Sequence, residues 1–331
     1  MNKKAWLTFI MFISVFSLIA CNSENGASTD EVKTLRLGHI QNEADAWHKG
    51  SLKFAELVHE KTNGSVKVEV YPSSTLGADR DLIEGMQIGS VDFALVAGVM
   101  SNFHQPYSIL ELPYLFEDLE HLEKFVYGSE GENLQEEMLE ETGVRGLEFW
   151  LRGPRQLTTN RPVESPKDLR GIKIRVPDIE ASVEGWKALG ANPTPMNFGE
   201  VYSSLQTGVI DAQENPIAFT ASARIQEVQK YLVMTDHVFG YVQLLMSDKT
   251  FEGLTEAEQE AVLKAAEEAR IFQNEIVFDE EERALQMMLD SGIETIEVEL
   301  EPFREAVQSV HRELADKYGQ ELYDAITNLT E

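Results

Sequence analysis

The chain has 331 residues, of which 43% are hydrophobic and 26% are charged, enough for a packed core and about two domains. Acidic residues outnumber basic ones by 57 to 28, and the formal net charge is −29. Nucleic-acid binding requires clustered lysines and arginines, so this charge excludes DNA and RNA as expected partners. It also disfavours adsorption of the folded surface to anionic lipid.

The first twenty residues have the pattern of a secretion signal. Two lysines near the start precede an apolar stretch of roughly 15 residues, which is shorter than the about 20 residues of a membrane span. This stretch leads through Leu18-Ile19-Ala20 into Cys21, the only cysteine. We predict a lipoprotein signal peptide over 1–20, lipidation of Cys21 and a polar, lipid-anchored tether over 21–32. The alternative is an ordinary signal peptide with an incidental cysteine.

From residue 33 onward, the sequence alternates between strand and helix patterns. Strands are predicted over 34–40 and 66–71 and in the segment that ends at residue 96, with helices over 46–62 and 79–88. Such alternation favours an α/β fold with mostly parallel sheets flanked by helices.

Polar and aromatic residues follow the first predicted strand. His39 and Gln41 come directly after it, and Trp47 lies in the first turn of the next helix, where free backbone amides attract anions. These residues are candidate ligand contacts. A capped turn over a core tryptophan explains the same pattern equally well.

The middle of the chain is predicted to contain one long helix over 117–142, ending at Gly143, and a strand over 144–150. That strand enters the motif RGPRQLTTNRP at 152–162, which opens the stretch richest in polar chemistry.

The stretch 152–216 contains residue types that suit a small organic anion. Arg155 and Arg175 are fixed positive charges, and Asn215 offers both a donor and an acceptor. An arginine fork matches a carboxylate with two parallel hydrogen bonds. Arg175 closes a strand-like run that Pro177 ends, and ligands of open α/β sheets bind outside the carboxyl ends of strands. For either arginine alone, a structural ion pair is the alternative.

The last third of the sequence is mainly helical. Thr255, with a glutamate three residues later, forms a capping box at the start of a very long helix. The predicted elements are a helix over 216–230, strands over 231–234 and 239–246, the long helix over 255–290, and a helical pair over 302–329 that packs on the second domain.

Three ordered segments carry a family resemblance: KIRVP at 173–177, LGANPTPMNFGEVYSSLQTGVIDAQENP at 189–216, and EVQKYLVMTDH at 227–237. Together they resemble the solute-binding proteins of TRAP transporters, the DctP family, and the resemblance extends from LRLGHIQ at 35–41 to the C-terminal helices.

The resemblance implies a two-domain periplasmic-binding-protein-like fold with crossover strands and a long domain-spanning helix. Domain I would comprise 33–152 plus 241–280, and domain II would comprise 153–240 plus 281–331.

The resemblance also assigns residue roles. Arg175 matches the arginine that pairs with the ligand carboxylate, Asn215 matches the asparagine that donates to the same carboxylate, and Phe198 matches a ring that packs on the ligand. Arg155 matches a second carboxylate-facing arginine, with Arg152 as the substitute if Arg155 points elsewhere. The other expected contacts are His39, Gln41, Trp47 and Tyr241. Ala97 and Gly98 replace the polar or acidic residues of several acid-binding members.

The function implied is capture of a carboxylate-bearing small molecule by hinge closure, followed by delivery to the small and large TRAP membrane subunits for ion-gradient-driven import. The ligand would be a sugar acid or uronate, or a C4-dicarboxylate; 2-oxo acids and lactate-like acids are further candidates. The motif at 152–162 and the missing acid near Ala97 favour a sugar acid. We expect a monomer without a cofactor.

Two other function classes are alternatives to this interpretation. A zinc-binding lipoprotein of a metal importer would gather distant histidines such as His39, His48 and His59, but arginines aimed at one crevice oppose a cation site. An enzyme would need a nucleophile elbow, a zinc-binding helix motif or a phosphate-cradling loop, and none of these patterns occurs in the sequence.

Overall fold

Two β-sheets flanked by helices make up the part of the chain that the structure, a computed structural model, describes: residues 32–330. The predicted signal peptide and the predicted lipidation site Cys21 lie outside these residues. Within residues 32–330, no helix is long and apolar enough to cross a membrane.

Eleven strands form the two sheets within the described residues. In chain order they are β1 (Lys33–Gly38), β2 (Val66–Tyr71), β3 (Phe93–Val96), β4 (Val144–Leu151), β5 (Arg155–Thr159), β6 (Lys173–Val176), β7 (Asn192–Pro195), β8 (Ala212–Pro216), β9 (Tyr231–Met234), β10 (Tyr241–Ser247) and β11 (Glu294–Glu297). The first sheet has the order β2-β1-β3-β10-β4, and the second has the order β11-β9-β5-β8-β6-β7.

The helices cover both sheets. They are α1 (Ala46–Lys61), α2 (Asp79–Ile88), α3 (Tyr107–Leu110), α4 (Leu119–Val126), α5 (Ser129–Thr142), α6 (Glu180–Ala188), α7 (Val201–Gln206), α8 (Ile217–Ser222), α9 (Asp248–Glu252), α10 (Glu256–Asp290), α11 (Glu301–Tyr318) and α12 (Gln320–Thr327).

The predicted α/β class is confirmed, and the sheets are mixed. Five strand pairs are parallel, namely β1–β2, β1–β3, β6–β7, β6–β8 and β9–β11. The antiparallel pairs are those of β10 with β3 and β4 in the first sheet, and of β5 with β8 and β9 in the second. Strands β10 and β5 each directly follow a crossover segment between the sheets, and each is antiparallel to both of its neighbours.

The chain passes between the sheets three times. Two crossovers lie at residues 152–154 and 235–240, and the third passage is the long helix α10, which leads from the first sheet to β11 of the second. Its first half packs with α1 in one hydrophobic core, whereas Ala284 and Met288 near its end pack with Leu232 of β9 in another. At its middle, Gln273 Nε2 donates to the carbonyl of Leu151 over 3.1 Å. The predicted long helix therefore reaches both sheets.

The helix predicted over 117–142 is two helices, α4 and α5. Gly128 separates them in an extended conformation, and a Cβ there would crowd the carbonyl oxygen of Lys124. Residues 128–133, GSEGEN, contain two glycines and no apolar residue, so the sequence carried a signal for this break that the prediction did not use. The helix predicted over 216–230 likewise ends at Ser222, because Arg224 adopts a left-handed conformation with φ of 57°.

The last helical pair packs more widely than predicted. Phe303 and Val307 at the start of α11 join the core of the second sheet. Val310 and Leu314 farther along α11, and Ile326 of α12, join the core that contains α2, α4 and α5. The C-terminal helices therefore contact both halves of the molecule rather than the second alone.

Candidate ligand-binding site

Strand pairing brings the predicted anion-binding residues to one edge of the second sheet. β6 and β8 run in parallel, with Arg175 opposite Gln213, so Asn215 lies farther toward the same carboxyl ends. β5 runs antiparallel to β8 and places Arg155 opposite Pro216. The start of β5 therefore meets the ends of β6 and β8.

This edge faces a small cavity whose other wall comes from the first sheet and its helices. The cavity has a volume of about 40 Å³. A wider cavity of about 280 Å³ adjoins it and shares Asp79, Arg175 and Phe198. Five predicted contacts line the small cavity: Trp47, Arg155, Arg175, Phe198 and Asn215.

Arg175 is buried, yet within residues 32–330 its guanidinium has no carboxylate partner in direct contact. Its Nε and Nη2 donate to the carbonyl oxygen of Met196 over 2.8 and 2.6 Å. The guanidinium also lies 5.8 Å from the ring centre of Phe198. Burial lowers the pKa of Arg175 to about 10, with Glu214 opposing the shift, so the group stays charged at neutral pH.

Asn215 is equally enclosed beside this arginine. Its Nδ2 donates to Gln213 Oε1 over 2.6 Å, and this leaves the second amide hydrogen and Oδ1 for a ligand. Gln213 in turn donates to Thr158 Oγ1 over 2.9 Å. A buried polar chain across β8 and β5 therefore fixes the orientation of the Asn215 amide.

Arg155 lines the cavity but is already paired. Its Nε and Nη2 donate to the two carboxylate oxygens of Glu214, and Nη2 also donates to the Glu214 carbonyl over 2.7 Å. His237 Nε2 lies 2.9 Å from the same carboxylate. Burial alone would raise the pKa of Glu214, but Arg155 and His237 outweigh burial and hold this pKa at about 2. Glu214 is therefore the partner of Arg155, not of Arg175.

A third buried arginine, Arg152, lies on the first crossover. Its Nε has no hydrogen-bond partner, and neither does Oε1 of Glu111, which lines the same cavity. Burial and the charge of Arg155 lower the pKa of Arg152 to about 10. Burial raises the pKa of Glu111, and the positive charges of Arg152 and Arg155 oppose this rise.

Aromatic side chains close the remaining wall. Phe219 of α8 makes edge contacts with Trp47 and Phe198, at ring-centre distances of 5.7 and 4.3 Å. Sequence reasoning missed Phe219 and Glu111. A signal for Glu111 was available, because it is the one charged residue within the apolar run SILELPYLF.

Three predicted contacts do not line the cavity. His39 is buried with its Nε2 3.1 Å from His48 Nδ1, and burial together with His48 lowers the pKa of His39 to about 3. The side chain of Gln41 is fully enclosed. Tyr241 packs edge-on against Phe149 at 5.0 Å.

The pairing of His39 with His48 is the nearest approach to the alternative zinc site. Among the side chains that the structure describes, no three or more histidine, cysteine, aspartate and glutamate residues are grouped so as to hold a metal ion. His59, the third histidine of that hypothesis, lies instead against Gly64.

Comparison with known proteins gives one consistent family. The family described as bacterial extracellular solute-binding protein, family 7 (DctP), matches residues 37–318. A solute-binding protein of Roseobacter denitrificans is 38% identical over 301 residues, which cover 91% of this chain and 92% of that protein. The C4-dicarboxylate-binding periplasmic protein DctP of Rhodobacter capsulatus is 35% identical, covering 85% of this chain and 86% of its own.

Solved structures agree with the sequence matches. The Roseobacter denitrificans TRAP periplasmic solute-binding protein with bound L-galactonate superimposes with a TM-score of 0.85 and 37% identity, covering 91% of this chain and 99% of that one. A TRAP periplasmic solute-binding protein of a Sulfitobacter species with bound β-D-galacturonate gives a TM-score of 0.86 and 31% identity, covering 90% and 99%.

Proposed function

Because the chain belongs to the DctP family of bacterial extracellular solute-binding proteins, we propose that it captures a sugar acid in the cavity between its two sheets. Membership in this family confirms the predicted role as an extracytoplasmic binding protein of a transporter rather than an enzyme. No comparison supports the zinc-binding alternative.

The observation that carries the proposal is the uncompensated charge of Arg175. A buried guanidinium without an anionic partner costs several kcal/mol, and a ligand carboxylate would offset that cost. Two donors of Arg175 are engaged by a carbonyl, which orients the remaining N–H groups. Asn215, held by Gln213, presents its amide at the same strand ends. In this proposal, Arg175 and Asn215 bind the carboxylate, and Phe198 packs on the ligand beside it.

Hinge closure is the mechanism that the connectivity supports. Trp47 belongs to the first sheet's side of the cavity, and Arg175 belongs to the second sheet. Among the described residues, the backbone connects the two sides at the two crossovers and through α10, and the C-terminal helices pack on both. We assign domain I to 33–152 plus 241–280 and domain II to 153–240 plus 281–331, with rotation about the crossovers.

Delivery requires a membrane partner. We propose that the closed form docks on the small and large TRAP membrane subunits as a monomer. Lipidation at Cys21 would keep the protein beside the permease, because several acyl chains anchor firmly. The polar stretch 21–32 would then act as its tether.

A thermal-shift screen of the purified protein tests the proposal. The panel contains L-galactonate, D-galacturonate, succinate, lactate and zinc. A ligand at 100 times its dissociation constant stabilises the folded state by about 2.7 kcal/mol, which is a measurable shift. We expect a shift with the sugar acids. A shift with none of the acids contradicts the proposal, and a shift with zinc alone would favour the metal importer.

A further inference from the structure

This inference rests on the proposed function and concerns the end of the cavity away from Arg175. Asp79 and Arg175 line both the small cavity and the wider one, whereas Glu111, Arg152 and Arg155 line the small cavity only. The charged side chains therefore form a series with two distinct ends. One end contains Arg175, and the other contains Arg152 and Glu111.

Two glycines make room for the second end. A Cβ at Gly98 would overlap the carboxylate of Glu111, and a Cβ at Gly240 would overlap the guanidinium of Arg152. Gly98 also lines the cavity, at one of the two positions where the resemblance leads one to expect a polar or acidic residue. The acid at this place is therefore supplied by Glu111, which follows α3, instead of by residue 97 or 98.

Both groups at this end have unused hydrogen-bonding capacity. Arg152 and Glu111 are more than nine-tenths buried and line the cavity without forming a direct ion pair with each other. Nε of Arg152 is a donor without an acceptor, and the Glu111 carboxylate lies beside the Tyr241 hydroxyl, but its Oε1 accepts no hydrogen bond of good geometry. Buried polar atoms are nearly always hydrogen-bonded in folded proteins, so water or a ligand group would satisfy these two atoms.

Hydroxyl groups suit both atoms. A hydroxyl can donate its proton to Glu111 Oε1 or accept from Arg152 Nε–H, whereas a carboxylate only accepts. A carboxylate at this position would also face the charge of Glu111 in a water-poor cavity, where like charges repel strongly.

The charge of the whole site leads to the same ligand. Three guanidinium groups, those of Arg152, Arg155 and Arg175, face the carboxylates of Glu111 and Glu214, which leaves one positive charge. Asp79 is the remaining acid, and burial raises its pKa to about 7, with Arg175 opposing the shift. With Asp79 protonated, one ligand carboxylate neutralises the site, and a second would make it net negative.

We propose that Glu111 and Arg152 bind hydroxyl groups of the ligand and thereby select a monocarboxylic sugar acid over the dicarboxylic acid of the same length. Arg175 and Asn215 hold the single carboxylate, and the chain of hydroxyl-bearing carbons extends past Arg155 toward the crossover.

Matched pairs of acids test this selection by isothermal titration calorimetry. The pairs are galactonate with galactarate, gluconate with glucarate, and erythronate with meso-tartrate; each pair differs in one terminal group, a hydroxymethyl or a carboxylate. For the pair that contains the tightest ligand, we expect the wild-type protein to prefer the monocarboxylate by at least about 30-fold. In Glu111→Gln the preference should fall by at least about 10-fold. Glu140→Gln, on the exposed face of α5, is the matched control and should keep the wild-type preference.

The outcomes separate this inference from the proposed function. Binding of galactarate, glucarate or meso-tartrate by the wild type as tight as that of its partner would overturn the inference while leaving carboxylate capture intact. Absence of binding to every acid, succinate and lactate included, would instead overturn the proposed function. If Glu111→Gln does not fold, the wild-type comparison still decides. Arg152→Lys, which keeps the charge but loses the Nε–H, should weaken binding of the monocarboxylate by about 10-fold; unchanged binding would also overturn the inference.

Discussion

The guanidinium of Arg155 and the carboxylate of Glu214 form a bidentate, buried ion pair between β5 and β8. The sequence predicted Arg155 as a direct carboxylate ligand. In the structure, most of its donors are already used within the protein. The pair therefore orients both side chains and leaves fewer Arg155 donors for a ligand.

We predict that the two charges of this pair depend on each other for stability. Glu214→Gln and Arg155→Met should each lower the free energy of unfolding by about 3–5 kcal/mol, because each leaves the opposite charge buried alone. The double variant should lose at least about 2 kcal/mol less than the sum of the two single variants. Urea denaturation of the four proteins measures this coupling. Strictly additive losses would show that the pair is not an energetic unit.

Arg175 should behave in the opposite way, since no protein carboxylate pairs with it. We expect Arg175→Ala to weaken sugar-acid binding by at least about 100-fold, or roughly 3 kcal/mol, while leaving the melting temperature of the ligand-free protein unchanged or higher. Titration calorimetry and thermal unfolding without ligand measure the two effects. Arg161→Ala is the control, because Arg161 is an exposed arginine of the same domain. Near wild-type affinity of Arg175→Ala would refute the carboxylate clamp.

The difference between the surroundings of these two arginines could not be predicted from the sequence. Both are single arginines in polar motifs, and chemistry alone does not separate a ligand contact from an ion pair. Strand register distinguishes the two arginines. β5 pairs Leu157 with Glu214, so Arg155, two residues before Leu157, lies on the same face of the sheet as Glu214. In β6, Arg175 lies opposite Gln213 and shares a face with Asn215. Pairing between distant strands is not encoded in any local pattern.

Elements with local signals were predicted well. The strand Val66–Tyr71 and the helix Asp79–Ile88 have the predicted bounds, and the capping box of Thr255 and Glu258 begins α10 as predicted. The break at Gly128 was missed although two glycines and the absence of apolar residues mark 128–133 in the sequence. Phe219 was missed for a different reason, since an aromatic residue in an apolar segment gives no sign that it faces a cavity.

The capping box also gives a pH-dependent prediction. Burial opposes ionisation of Glu258, but hydrogen bonds from Lys33, Thr255 and Ser65 outweigh it and lower the pKa from 4.5 to about 2. A carboxyl whose pKa is lower in the folded state stabilises the fold above its unfolded pKa, and this contribution disappears as the pH falls toward 2. Glu258→Gln should therefore cost about 1–2 kcal/mol at pH 7 and progressively less below pH 4.5.

Denaturant unfolding of both proteins between pH 7 and pH 3 measures this effect. Glu267→Gln, at an exposed position of the same helix, should unfold like the wild type throughout. A stability difference between Glu258→Gln and the wild type that does not shrink as the pH falls would show that the charge of Glu258 is not the source of the stabilisation.

Gly240 is not a predicted ligand contact, but its substitution should still affect ligand binding. It lies on the second crossover, and a Cβ there would overlap the guanidinium of Arg152. Gly240→Ala should displace that guanidinium and weaken sugar-acid binding by about 10-fold, because the hydroxyl end of the cavity would lose its donor. Binding at the carboxylate end should persist, so lactate, which does not reach Arg152, should bind Gly240→Ala and the wild type alike.

Calorimetry with the sugar acid and with lactate distinguishes the two ends. Gly253→Ala is the matched control, because a Cβ at Gly253 meets only ordinary contacts with backbone oxygens. Equal weakening of both ligands by Gly240→Ala would indicate that the substitution disturbs closure of the whole cavity. Unchanged binding of both the sugar acid and lactate would indicate that the position of the Arg152 guanidinium beside Gly240 does not affect binding. The inferred role of Arg152 and Glu111 would then have no structural basis.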